Sequence, residues 1–213
     1  GFSALDSVRK TGYFFLQDRG RIVPQSVEEK AVKRIEREGP GWAFSPSDLA
    51  PIGSRAAIDL ALYRLIRKGR IRRAMRGVYI FPRRSELLRT ELAPDMDQIA
   101  RALARKFGWR IQPTGNAAQN IIGLSTQVPA SFDYLSDGPD RAYRVGESTL
   151  TFQHTAAKQI ILKLPESALI VQALKTMGQE RLTPAVRRKV QQWLAPGRRS
   201  AVLSDTQVGT GWG

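Results

Sequence analysis

The chain has 213 residues, 42% of them hydrophobic, with 34 Lys and Arg against 19 Asp and Glu, a formal net charge of +15. It contains no cysteine, which removes disulfides, thiolate catalysis and cysteine-based zinc sites together. No run of about 18 apolar residues occurs, and the first residues lack the charged, apolar, small order of a secretion signal. The expectation is a soluble cytoplasmic protein; the charge alone points to a polyanion or an anionic membrane surface as partner, and the helix and hairpin that carry it favour nucleic acid with no membrane.

Residues 1–25 mix apolar and basic side chains without clear caps and form an N-terminal extension of unknown role. Ser26 then caps a helix with Glu28 and Glu29 in its first turn, and Val27, Ala31, Val32 and Ile35 follow helical spacing. Gly39-Pro40-Gly41 stops it. "WAF" at 42–44 is a short extended piece. Ser45 and Pro46 open a second short helix, which ends at Pro51-Ile52-Gly53. Ser54 caps a third helix whose apolar face is Ile58, Ala61, Leu62, Leu65 and Ile66. Its other face carries Arg55, Ala56, Asp59, Leu60, Tyr63, Arg64 and Arg67. After Gly69, "RIRRAM" and "GVYIFP" read as two strands joined near Arg76-Gly77.

Three helices and a hairpin in this order predict a winged helix-turn-helix domain over 26–84. Residues 54–84 hold ten basic residues and one acidic one. That charge spans both the third helix and the hairpin, as expected if both meet one duplex. Ser54, Arg55, Ala56, Asp59, Tyr63, Arg64 and Arg67 are then the recognition-helix positions, and Arg72, Arg73 and Arg76 the wing positions. Tyr79 fits either a phosphate contact or packing. The competing reading, a winged helix that docks an acidic protein partner or RNA, shares the same basic face.

A linker is expected over 85–94, and a second domain over 95–213. Asp95 caps a helix through Phe107, and "GWRIQP" is a strand. "TGNAAQNIIGL" is a small-residue helix, and "STQVPASFDYLSDGP" holds two short strands. "RAYRVGESTLTFQHT" is a hairpin turning at Gly146-Glu147. Helices follow near 155–163, 166–177 and 183–194, and the tail from Ser204 reads as loose. The overall class is α+β, the second domain having a small, mostly antiparallel sheet with flanking helices. Its apolar set (Ile99, Leu103, Trp109, Ile111, Val128, Leu150, Phe152, Leu162, Leu174) reads as a core separate from that of the first domain.

The residues that carry chemistry are sparse. There is no phosphate-binding G-x-x-x-x-G-K-[ST] and no G-x-G-x-x-G after a strand. The one histidine, His154, stands at a strand end, and without a second His or any Cys no ligand set for a metal is apparent. Asp137 and Asp140 read as turn residues, and Asp95 and Asp97 as helix-start residues. The expectation is a protein that is not an enzyme, with no cofactor and no metal; an enzyme acting on nucleic acid ranks last.

Four segments carry a family resemblance: "SRAAIDLALYRLIRKGRIRRAMRGVYIFP", "PTGNAAQNIIGLSTQVPA", "DYLSDGP" and "LTFQH". In this order the chain resembles the AbiEi-type antitoxins of type IV toxin–antitoxin systems, over about residues 26–195. The resemblance implies a bacterial or phage-defence operon product whose winged helix binds inverted repeats at its own promoter as a transcriptional repressor. It implies that the second domain counteracts a nucleotidyltransferase-like toxin, with no need of a stable complex. The small residues of "PTGNAAQNIIGLSTQVPA" equally suit tight helix-on-sheet packing.

Overall fold

A computed structural model of the chain describes residues 25–126, 130–156 and 164–210. The extension over 1–24, the expected strand residue Val128, and the expected helix near 155–163 with Leu162 fall outside these residues, apart from Thr155 and Ala156, which are not helical. The fold is α+β, with two small sheets, a two-stranded hairpin and helices on their flanks.

Helix α1 (Val27–Glu38) starts with a capping box. The Ser26 hydroxyl accepts from the Glu29 N–H at 3.2 Å, and the Glu29 carboxylate accepts from the Ser26 N–H at 2.9 Å. Strand β1 (Ala43–Phe44) and a 3₁₀ helix over Pro46–Ile52 follow. Helix α2 (Arg55–Arg67) buries Ile58, Ala61, Leu62 and Leu65, while Ile66, expected on that face, lies exposed at its rim. Strands β2 (Arg72–Met75) and β3 (Val78–Ile80) form the expected hairpin about Arg76-Gly77, and β1 completes a sheet of order β1-β3-β2.

Alternation along this sheet decides the architecture. Phe44 and Tyr79 join Ile35, Leu49, Leu62 and Leu65 on the helical side. Tyr79 is thereby a packing residue, its ring 5.9 Å from that of Phe44. Ala43, Val78 and Ile80 point the other way, into a core shared with Ile99, Leu103, Phe132, Tyr134, Leu150 and Phe152. The two cores expected from sequence are therefore not kept apart: Ile35, Leu49, Leu62 and Leu65 stay in a core of the first part, but Val78 and Ile80, expected with them, belong to one shared with the second. The first sheet is apolar on both faces, and α3 (Met96–Phe107) covers the second of them.

The expected linker also has structure: β4 (Arg84–Ser85) and β5 (Thr90–Glu91) pair antiparallel, with Leu87 and Leu88 exposed at the tip. After α3 come β6 (Ile111–Pro113), α4 (Gly115–Ile122), β7 (Ser131–Ser136), β8 (Arg141–Val145) and β9 (Ser148–His154). Their sheet has order β6-β7-β9-β8, with β7 and β9 parallel and the other pairs antiparallel. Where two strands were expected before Gly138, the described residues hold one, β7. Helices α5 (Pro165–Met177), α6 (Pro184–Trp193) and α7 (Arg199–Thr210) complete the chain. Of the tail expected to be loose, residues 204–210 are helical: Val202 just before them is buried against α5 and its neighbours, and Asp205 accepts from the Leu164 N–H at 3.0 Å. Ala117 and Ala118 of α4 are buried in two different clusters, so this helix joins the second sheet to α5. The small residues of its motif serve that close packing.

The turn at Asp137-Gly138-Pro139 is set by an aromatic neighbour. A Cβ on Gly138 would lie 2.4 Å from the Trp109 indole, which stacks on Phe107 at 4.7 Å and meets Phe152 edge-on at 5.5 Å. Asp137 accepts from the Arg110 N–H at 2.7 Å and from its Nε at 2.9 Å, and these hydrogen bonds hold its carboxyl below the usual carboxylate range.

Candidate nucleic-acid interface

The exposed side of α2 is built from its cap outward. The Ser54 hydroxyl oxygen accepts from the Ala57 N–H at 3.3 Å and fixes the first turn. Arg55, Ala56, Asp59, Leu60, Tyr63, Arg64 and Arg67 are all exposed. The Asp59 carboxylate accepts from Arg55 Nε at 3.0 and 2.9 Å. That contact engages the inner nitrogen of a largely exposed guanidinium and leaves both Nη groups, the fork that fits a guanine edge, without a hydrogen-bond partner among the described residues. One turn on, Arg67 donates to the Tyr63 hydroxyl at 3.3 Å. Arg55, Asp59, Tyr63, Arg64 and Arg67, with Ala56 and Leu60 among them, thus form the exposed side of α2.

Not every cation in residues 54–84 is free. Glu28 of α1 takes Lys68 in a short contact and Arg64 at 3.8 Å. The Lys68 hydrogen bond keeps the Glu28 carboxyl below its usual range, so it stays ionised. Glu36 takes Arg70 at 2.6 Å. Glu91 of β5 takes Arg72 in a short contact and Arg84 at 3.7 Å. Arg67, Arg73, Arg76 and Arg83 have no carboxylate partner among the described residues. Exposed ion pairs are worth only about 0–1 kcal/mol, so a phosphate can replace these carboxylates at little cost.

The hairpin differs from a projecting ribbon. Ala74 and Met75 of β2 pack on the shared core, and β2 lies beside β8 of the second sheet. Arg72 and Arg73 consequently line a cleft of about 740 Å³, together with Arg83, Glu91 and the β8–β9 turn. Arg76 stands at the exposed turn, where Gly77 takes a φ of +78° that a side chain would strain.

The second half of the chain holds the first in place through Arg105 near the end of α3. Its Nε donates to Asp48 at 2.7 Å, its Nη2 donates to the Ala43 carbonyl at 2.7 Å, and it lies over the Trp42 ring at 6.0 Å. Sequence reasoning gave Glu28 only a helix-start role and passed over Arg105 and Glu91, because each acts on a residue distant in the chain. Asp97, taken for a helix-start residue, points inward instead; Asp95 alone caps α3. His154 is tied into the turn before β8: its N–H donates to Asp140 at 2.5 Å, and its Nδ1 donates to the Gly138 carbonyl at 2.8 Å. Among the described residues no three His, Asp or Glu side chains gather as a metal site would require, and no helix is long and apolar enough to cross a membrane.

Fold and surface together define an α+β protein with a basic helix and hairpin clamped to a second sheet. The chain belongs to DUF6088, a family of unknown function, whose model matches residues 17–201. No curated protein matches it.

Proposed function

We propose that the first part of the chain is a winged helix-turn-helix domain that binds double-stranded DNA, and that the protein is the autorepressor and antitoxin of a type IV toxin–antitoxin operon. One observation carries the DNA-binding reading: α2 presents a capped, exposed face with the largely exposed guanidinium of Arg55 held at its Nε, followed in the chain by a hairpin whose Arg73 and Arg76 lack carboxylate partners among the described residues. In this reading α2 lies in the major groove and the hairpin follows the adjacent backbone. The operator is an inverted repeat upstream of the gene. The antitoxin role rests on the resemblance of the second-half motifs.

Binding to duplex DNA is expected to weaken steeply with salt. If only the four unpaired arginines meet phosphates the slope of log K against log[salt] is roughly −4, and if Arg64 and Arg72 exchange their carboxylates for phosphates it approaches roughly −5. A gel-shift titration with upstream operon DNA measures it, and a slope near zero would refute the reading.

Arg55→Ala is expected to lower the preference for operator over unrelated duplex by about 1–3 kcal/mol, whereas Arg76→Ala weakens both alike. Asp59→Ala frees the Arg55 guanidinium to rotate and should lower the preference in the same direction. Equal loss on both DNAs for Arg55→Ala would remove it as a base reader. An Arg73→Ala, Arg76→Ala double variant should lose repression and still protect cells that express the neighbouring toxin. Loss of protection in step with DNA binding would mean that repression is the whole antitoxin mechanism.

A further inference from the structure

We infer that Lys106, on α3 in the second half of the chain, is a DNA-backbone contact that forms one phosphate site with Arg76 at the hairpin turn. The inference rests on the DNA-binding reading above and extends the interface to a residue outside the helix and hairpin. A Cβ at Gly77 would lie 2.9 Å from Lys106 Nζ, so the ammonium group sits against the turn itself, beside the residue that follows Arg76. Glycine permits that approach as well as the positive φ. Lys106 Nζ also lies over the Phe107 ring at 5.0 Å, which restrains it there.

Structural roles for Lys106 do not account for this position. It has no carboxylate partner among the described residues, and its donors meet no acceptor among them. It does not cap α3: the Ala104 and Arg105 carbonyls are taken by the Gly108 N–H, and Trp109 N–H also reaches Ala104. The preceding residue, Arg105, is clamped to Asp48 and Ala43, which fixes the last turn of α3 against the first sheet and aims Lys106 at the hairpin. The ammonium sits against the turn that carries the exposed Arg76, neither cation having a carboxylate partner among the described residues, so positive charge gathers at this turn and an anion there would offset it. A phosphodiester of the duplex flanking the groove is the ligand that the reading supplies.

The test is fluorescence anisotropy of a labelled duplex of about 30 base pairs of arbitrary sequence, titrated with the full-length protein across about 0.05–0.4 M KCl. Each phosphate neutralised contributes about −0.9 to the slope, so Lys106→Gln should bind roughly eightfold more weakly at 0.1 M and show a slope shallower by about one. The wild-type and Lys106→Gln lines should converge near 1 M, and Lys106→Arg should follow wild type. Parallel lines for wild type and Lys106→Gln would overturn the inference, as would Lys106→Arg losing slope as fully as Lys106→Gln. Wild-type protein that fails to bind the duplex at any salt would instead overturn the DNA-binding reading beneath it.

Discussion

A fragment of residues 25–94 is expected to show no cooperative unfolding transition. Removing α3 exposes Ala43, Val78 and Ile80, which are fully or nearly fully buried in the core shared with the second half. Exposing a Val or Ile side chain costs about 1.5–3 kcal/mol each, so these residues forfeit roughly 4–6 kcal/mol. The fragment also loses both Arg105 hydrogen bonds, and hydrogen bonds from charged groups are worth about 1.5–3 kcal/mol. A domain of this size has a total stability of about 4–10 kcal/mol, so the loss is comparable to the whole. Circular dichroism during a urea titration checks it. A sigmoidal transition with a slope appropriate to the fragment's size would show that α3 is dispensable. The practical consequence is that repression and protection must be separated by point substitutions, not by cutting the chain.

Asp97→Ala is the single substitution expected to cost most among the polar residues, about 3–5 kcal/mol. Asp97 accepts from the buried Tyr134 hydroxyl at 3.0 Å and from Arg101 Nε at 2.6 Å, joining α3 to β7. Alanine leaves the phenol without an acceptor, worth about 1–3 kcal/mol, and breaks a charge-assisted bond worth about 1.5–3 kcal/mol. Tyr134→Phe removes only a donor, and Asp97 keeps Arg101, so that change should cost nearer 1 kcal/mol. Urea midpoints of the two variants decide it; equal losses would mean that Asp97 acts only through the Tyr134 hydrogen bond and that its bond with Arg101 contributes nothing. The same group sets an alkaline limit. Burial, then the Asp97 charge, push the Tyr134 phenol well above its ordinary value of 10.0. A raised folded pKa means that this stabilisation is complete below about pH 10 and declines as pH rises toward the folded pKa. Tyr134→Phe should flatten that decline.

Much of the local structure was legible because its causes are local. Ser26, Ser54 and Asp95 cap the helices they precede, and Gly77 sits at the hairpin turn. The exposed strip of α2 follows from 3.6-residue spacing, since Ile58, Leu62 and Leu65 leave Arg55, Asp59, Tyr63 and Arg67 no other side to occupy. Where expectation failed, the deciding contact was remote. Ser204 to Thr210 carries no strong helical pattern, yet it is helical because α5 covers Val202 and Asp205 holds Leu164. The segment expected to link two domains instead folds back on itself, pinned to β2 by Glu91 and Arg72.

By itself, then, the sequence determined the helices and strands over residues 26–80, the α+β class and the basic surface of the helix and hairpin, because caps, period and charge act within a few residues of their origin. Only the tertiary structure decided that the first sheet is covered on both faces. A strand as short as β1 or β3 buries alternate residues on opposite sides, and Val78 and Ile80 read identically whether their side meets solvent or a helix. The same holds for Arg105, Lys106 and Asp97. Each lies on one periodic helix, and which of them clamps a neighbour, approaches the hairpin or accepts from a buried tyrosine depends on packing across segments far apart in the chain.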